Sequence, residues 1–285
     1  MKTHRFLVVL LVAGQASVAS AEDDVMDVGD PLTMNSLTPV STFGLEVGIP
    51  IWDTPDNQSF TTVGINLHGH YIDKGSGFGG YLNVPLQYLA GEIDLGFLGT
   101  IDDSEFSIGN VEVGAVFAKQ LRHLAVVGHV GVAVPTHSAD DDILGAASVA
   151  ATAPRYTDFV NRIPDSTWLR LGFSPMGRQG KLFWRGDIGI DIALDDDAMD
   201  SASPAYYFNV GGGIDLGQVA IQVEIDTLIT DTNGDDTTSV FAFGARFLSG
   251  KFRPGVSMFF PLGWDNDTFG DGWDFGFGVS LLAHL

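Results

Sequence analysis

Cysteine is missing from all 285 residues. No disulfide and no thiolate chemistry is available, so burial and hydrogen bonding alone must stabilise the chain. Basic residues are scarce: 14 Lys and Arg stand against 36 Asp and Glu, a formal net charge of −22. That balance makes nucleic acid and anionic lipid surfaces poor partners and leaves small cations, metal ions and neutral solutes open. Long apolar runs are missing too. The apolar run 6–14 is too short to cross about 30 Å of hydrocarbon as a helix. It follows Lys2 and Arg5 and precedes Ala19-Ser20-Ala21, the basic, apolar, A-x-A order of a secretory signal. Cleavage is expected after Ala21. The expected organisation is a signal peptide over 1–21, a periplasmic lead-in over 22–39, and one barrel domain over 40–285.

What is present is apolar residues, 45 % of the chain. High charge usually accompanies a strongly polar chain, so charged and apolar side chains must be segregated. The sequence does this with period two. In 41–51, Phe43, Leu45, Val47, Ile49 and Ile51 share one face against Thr42, Gly44, Glu46 and Gly48. In 182–194, Trp184, Ile188, Ile190 and Ile192 oppose Arg185, Asp187, Gly189 and Asp191. The same alternation runs through 61–70, 219–229, 240–248, 252–262 and 273–285, with further candidates at 78–88, 92–101, 106–118, 123–134, 167–175 and 205–216. Period two is the strand signal. Each segment is near the length a tilted strand needs to cross a bilayer.

An all-β chain in lipid must close on itself, because open sheet edges find no hydrogen-bond partners there. The expectation is therefore an all-β fold, a closed antiparallel transmembrane barrel of about twelve strands, with fourteen as the alternative. The connections also sort by length. Tight turns at 120–122, 176–181, 216–218 and 249–251 alternate with long acidic loops at 136–166, 195–204, 230–238 and 263–272. Short periplasmic turns and long outer loops are the habit of outer-membrane barrels. A soluble β-sandwich alternates equally well but has no reason to sort its loops. Trp168, Trp184, Trp264 and Trp273 fall near strand ends, where aromatic girdles sit.

The segment 108–136, IGNVEVGAVFAKQLRHLAVVGHVGVAVPT, resembles the central hairpin of a Gram-negative outer-membrane transporter family of the phenol-degradation (MetA-pathway) type. That hairpin pairs a G-D/N-hydrophobic-x-hydrophobic-G strand with a return strand ending V-x-P-T-G. His137 stands where the pattern has Gly. The resemblance implies a barrel that passes small molecules, hydrophobic ones included. The C-terminal strand resembles a barrel-assembly signal, with Leu285 in place of the usual Phe. It implies outer-membrane lipid and the barrel-assembly machinery as partners.

The lumen-facing candidates are Glu46, Asp94, Glu112, Asp187, Asp191, Asp215, Glu224 and Asp226, with Arg170, Arg185, Arg246 and Arg253. They form either an ion-pair lattice filling a narrow barrel or a pore wall with an acidic, cation-preferring bias. Inward glycines (Gly44, Gly64, Gly189, Gly211, Gly213, Gly276, Gly278) either leave lumen space or let strands bend. Asp231, Asn233 and Asp235 resemble the start of a calcium loop but lack its closing Glu, and a solvated acidic loop is the default. In the longest loop, 143–153 reads as a short helix capped by Asp142 and stopped by Pro154, on the surface by default or folded inward as a plug. His68, His70 and His129 have no nucleophile motif beside them. No cofactor and no enzymatic activity is expected. The leading functional expectation is passive passage of small molecules. The alternative is a structural or surface-interaction barrel with a filled lumen.

Overall fold

The computed structural model describes residues 30–52, 58–94, 100–136, 153–163, 165–195, 203–230, 236–262 and 273–285. They hold thirteen strands: β1 (Thr42–Trp52), β2 (Gln58–Ile72), β3 (Phe78–Asp94), β4 (Thr100–Ile108), β5 (Val111–Leu121), β6 (Leu124–Val134), β7 (Trp168–Gln179), β8 (Leu182–Ala193), β9 (Ala205–Asp215), β10 (Val219–Thr230), β11 (Asp236–Phe247), β12 (Phe252–Leu262) and β13 (Trp273–His284). Every strand but β4 belongs to a closed antiparallel ring of twelve, sealed where β1 pairs with β13 from Thr42↔His284 to Trp52↔Trp273. The expected twelve-strand barrel is the fold.

The alternation explains the ring. Outward positions are exposed and apolar on every ring strand, among them Phe43, Phe208, Val223, Phe243 and Val279. Many inward positions are buried and polar, such as Glu46, His68, Arg170, Asp191 and Glu224. A soluble fold would bury the first set. Here the apolar set faces out, as a lipid-facing belt requires.

Two expected strands, 92–101 and 106–118, are drawn differently. β3 is 17 residues long. Its first part, 78–83, pairs with β5, and its later part, 86–94, pairs with β4. β4 pairs with no other strand and stands outside the ring. The run 106–118 is broken at Gly109-Asn110 between β4 and β5. The break is fixed from inside the barrel. The Asn110 side-chain amide donates to the carbonyls of Val160 (2.8 Å) and Ile163 (2.7 Å), and its backbone N–H to that of Asn161 (2.6 Å).

Both chain ends of the barrel meet at one rim, where the Leu285 N–H donates to the Ser41 carbonyl. The tight turns lie at that rim. Gly180 (φ 62°) and Gly250 (φ 82°) take the left-handed conformation these turns demand. Outer-membrane barrels in general carry their short turns on the periplasmic side. The sequence expectations at 1–21, most of 143–153, Asp231, Asn233, Asp235 and Trp264 lie outside the described residues.

Two stretches of non-barrel chain run inside the ring. Residues 30–41, of which 30–39 were expected as part of a periplasmic lead-in, enter from the rim of the chain ends. Leu37 packs there with Ile72, Val116, Ala118, Ala125, Val127 and Met176. The second stretch is Ala153–Arg162, a 3₁₀ segment kinked where Arg155 and Asp158 leave helical backbone geometry, from the connection between β6 and β7. Its Tyr156, Phe159 and Val160 pack at the other end, against inward Ala133, Ala193, Ala205, Leu228, Val240 and Phe259. Each end of the lumen thus has an apolar seat, and the charge lies between them.

Candidate functional site: the charged lumen

The belt between the two seats is built from cross-strand neighbours. Arg170 on β7 faces Asp191 on β8 in register. Its Nε donates to Asp191 (2.9 Å), one Nη to Glu112 on β5 (2.8 Å) and Asp158 (3.0 Å), and the other Nη to the Thr157 carbonyl (2.9 Å). Glu112 also accepts from Tyr81 (2.6 Å) and Asn161 (3.0 Å). One guanidinium therefore organises three buried carboxylates and a piece of the inward loop, using the fork geometry that lysine lacks.

A second knot joins both inward stretches to the wall. Arg155 donates from Nε and Nη2 to the two oxygens of Glu46 on β1, and from Nη1 to the Met34 carbonyl. His68 lies 3.3 Å from the same carboxylate. Burial alone would lower the Arg155 pKa, but the Glu46 carboxylate reverses this and holds it above the ordinary value. Arg162 is lowered to about 10, chiefly by burial, although Asp158 opposes the shift. It remains charged at neutral pH and donates to the Leu86 carbonyl (3.0 Å).

The third knot holds the N-terminal stretch. Glu224 on β10 accepts the backbone N–H groups of Leu32 (2.7 Å), Thr33 (2.7 Å) and Met34 (3.0 Å). The Thr33 hydroxyl bridges Glu224 and Asp226. Gln222 donates to the Asp30 carbonyl (2.8 Å) and Arg246 to that of Pro31 (2.9 Å). Asp30 itself sits 3.0 Å from His284 and 3.6 Å from Arg253. Burial disfavours its ionised form, yet the hydrogen bond to His284 and the charges of Arg246 and Arg253 outweigh that and lower its pKa.

Most of the expected lumen residues meet in this belt: Glu46, Glu112, Arg170, Arg185, Asp187, Asp191, Glu224, Asp226 and Arg246 are all buried. Arg185 donates to Asp187 two residues along its own strand (2.9 Å). Asp215 pairs with Arg178 near the rim of the tight turns, away from the belt. Arg253 is part-buried at the same rim. Asp94 is not brought to the belt; its backbone pairs with Thr100 at the far tip of β3 and β4. The three histidines are dispersed: His68 on Glu46, His70 on Thr42 (3.2 Å) and the Thr38 carbonyl (3.0 Å), and His129 beside Asn35 and Tyr207. Among the described residues no group of His, Asp and Glu is arranged to hold a metal ion.

Sequence reasoning missed Arg155, Asp158, Asn161 and Arg162 on the loop side, and Asp30 to Leu37 at the N-terminal end. One signal was available. In a chain so short of bases, PRYTDFVNR puts two arginines and two aromatics in the longest connection, and an acidic interior needs cations.

The glycine question has a definite answer at several positions. A side chain at Gly131 would collide with the Tyr81 hydroxyl, at Gly189 with the Tyr207 ring, and at Gly276 with Phe259. These glycines make a floor on which lumen side chains lie flat. Gly131→Val should displace Tyr81 from Glu112 and cost about 1–3 kcal/mol by overpacking. Urea unfolding of the barrel in lipid vesicles measures this; unchanged stability would mean that the floor is slack.

No family model and no curated protein matches the chain. Among solved structures it is similar to the COG4313 outer membrane channel from Pseudomonas putida F1, with a TM-score of 0.61 and 13 % identity over 93 % of this chain and 100 % of that one. The KdgM porin (TM-score 0.49, 7 % identity, 86 % and 99 % covered) and the CymD monoaromatic hydrocarbon channel (0.45, 8 %, 87 % and 89 %) resemble it less. The first likeness concerns the fold. The chain has the architecture of an outer-membrane β-barrel.

Proposed function

We propose that this protein is an outer-membrane channel for small molecules whose resting lumen is closed by two stretches of its own chain. The observation that carries the reading is the way the N-terminal stretch is held. Beyond the apolar seat of Leu37, it docks through hydrogen bonds to Gln222, Glu224, Asp226 and Arg246. Buried ion pairs and carboxylates are poor filler, since apolar side chains of similar volume are often as stabilising or more so. A lumen meant to stay shut gains nothing from them. A lumen that must accept water and solute once its occupants leave needs a polar wall. With Arg155 and Arg162 withdrawn, acids outnumber bases on that wall, so the open channel should prefer cations.

The likeness to the COG4313 channel and the resemblance of the β5–β6 hairpin to the phenol-degradation transporter family support the same reading, with small hydrophobic molecules among the solutes. In this scheme 1–21 exports the chain, β13 engages the barrel-assembly machinery, and the outward belt meets outer-membrane lipid. The second reading, a structural barrel with a filled lumen, draws support from Arg155, which ties both inward stretches to β1.

A staple separates the two. The chain has no cysteine, so T33C/D226C introduces the only pair, at a position where the two side chains already touch. In planar bilayers, oxidation should abolish conductance at least tenfold and a reductant should restore it. Silence of the folded protein in both states would reject the channel in favour of the filled barrel.

A further inference from the structure

The contacts to the N-terminal stretch follow a pattern beyond mere filling. Five consecutive residues are read almost wholly through their backbone. Two wall side chains donate to consecutive carbonyls, Gln222 to Asp30 and Arg246 to Pro31. One wall carboxylate, Glu224, then accepts three consecutive amide N–H groups, from Leu32, Thr33 and Met34. Only Asp30 and Thr33 are contacted through side-chain polar atoms in this set, Asp30 by His284 and Arg253 and Thr33 by Glu224 and Asp226.

Donors for carbonyls beside an acceptor for amides form a surface complementary to a peptide chain, largely whatever its sequence. The strip also has unused capacity. Asp226 Oδ1 and Arg246 Nε are buried and have no hydrogen-bond partner among the described residues. Buried polar groups in that state cost free energy until a partner arrives.

We propose that the inner wall of β10–β13 is a peptide-binding strip, and that residues 30–34 occupy it as a resident pseudo-ligand. The solute that displaces them is a short peptide with an acidic residue at the end that meets His284 and Arg253. This rests on the channel reading in one respect: the strip is reached by a solute only if the resident stretch can leave. The resident competes at very high effective concentration because it is tethered. Free peptide therefore binds the wild type weakly and a variant with a weakened resident tightly.

The test changes the resident and leaves the wall intact. Thr33→Pro removes the N–H given to Glu224 and the hydroxyl shared with Asp226, in the full mature chain. A fluorescein-labelled peptide of sequence DPLTMNS is titrated against refolded protein, and binding is read by fluorescence anisotropy. The expected result is at least tenfold tighter binding to T33P than to the wild type, and loss of at least that factor when E224Q is added. A disaccharide of comparable size should not compete. Should T33P fail to fold, judged by heat-dependent gel migration, D30A/T33A takes its place. Equal affinity in wild type and folded variant, or an unchanged affinity with E224Q, overturns the strip. Those outcomes with the staple still controlling conductance leave the channel standing. Tight, Glu224-dependent binding to a barrel that never conducts supports the strip and removes the channel.

Discussion

Arg170→Met should be the most destabilising single change in the barrel, by about 3–5 kcal/mol or more. The residue is 1 % exposed and its guanidinium serves Asp191, Glu112 and Asp158 at once. Met keeps the apolar stem, so the packing loss is confined to the space of the guanidinium. The cost arises because three carboxylates stay behind without their common cation, and a buried charge stripped of its partner loses far more than the pair contributed. Asp191, 0 % exposed, has no other ion pair among the described residues. Hence R170M/D191N should recover part of the loss, while D191N alone should cost less than R170M. Urea unfolding in lipid vesicles reads all three. A penalty for R170M within about 1 kcal/mol of the wild type would show that water reaches the belt and screens it, which the burial of these groups argues against.

The barrel was legible in the sequence because lipid and lumen impose opposite demands on alternate residues. Phe43 and Glu46, or Ile188 and Asp187, declare their faces without any knowledge of neighbours. Loop lengths then gave the rims. The run 106–118 shows where this reasoning needed one more step. Phe106 and Ile108 are exposed at even positions, and Val113 is exposed at an odd one. The phase of the alternation slips by one residue at Gly109-Asn110. A strand cannot do that without a break, and the slip is visible in the sequence itself.

The contents of the lumen were much less legible. A stretch that lies inside a barrel has no period imposed on it, since it meets wall side chains on all sides. Residues 30–39 and 153–162 therefore read as lead-in and loop. Their partners are also distant: Leu32 and Glu224 are separated by 192 residues, Arg155 and Glu46 by 109. The charged wall was found because alternation marks it. The cations and amides that answer it come from segments whose inward position depends on the closed ring. The glycines of β8 and β13 were ambiguous for the same reason, because the role of Gly189 and Gly276 depends on Tyr207 and Phe259 reaching across from neighbouring strands.

Arg155→Ala should raise channel open probability in planar bilayers by at least tenfold. Arg155 is the group that joins both inward stretches to each other and to β1. Its removal leaves the buried Glu46 without its direct guanidinium partner, with His68 3.3 Å away, a cost of about 3–5 kcal/mol borne by the closed state. Opening hydrates Glu46 and relieves that cost, so the penalty is not shared equally between states. A differential of about 1.4 kcal/mol is already tenfold in the equilibrium. The apolar seat of Tyr156, Phe159 and Val160 survives the substitution and keeps the loop from leaving outright, so closures should persist. Glu46→Gln should act in the same direction but more weakly, because the bond from Arg155 to the Met34 carbonyl remains. The two changes share one interaction, so the double variant should open less than the product of the single effects predicts. R155K keeps the charge without the fork and should fall between wild type and R155A. Equal open probability across this series, in barrels shown to be folded, would mean that the two inward stretches move independently and that Arg155 is a passive part of the packing.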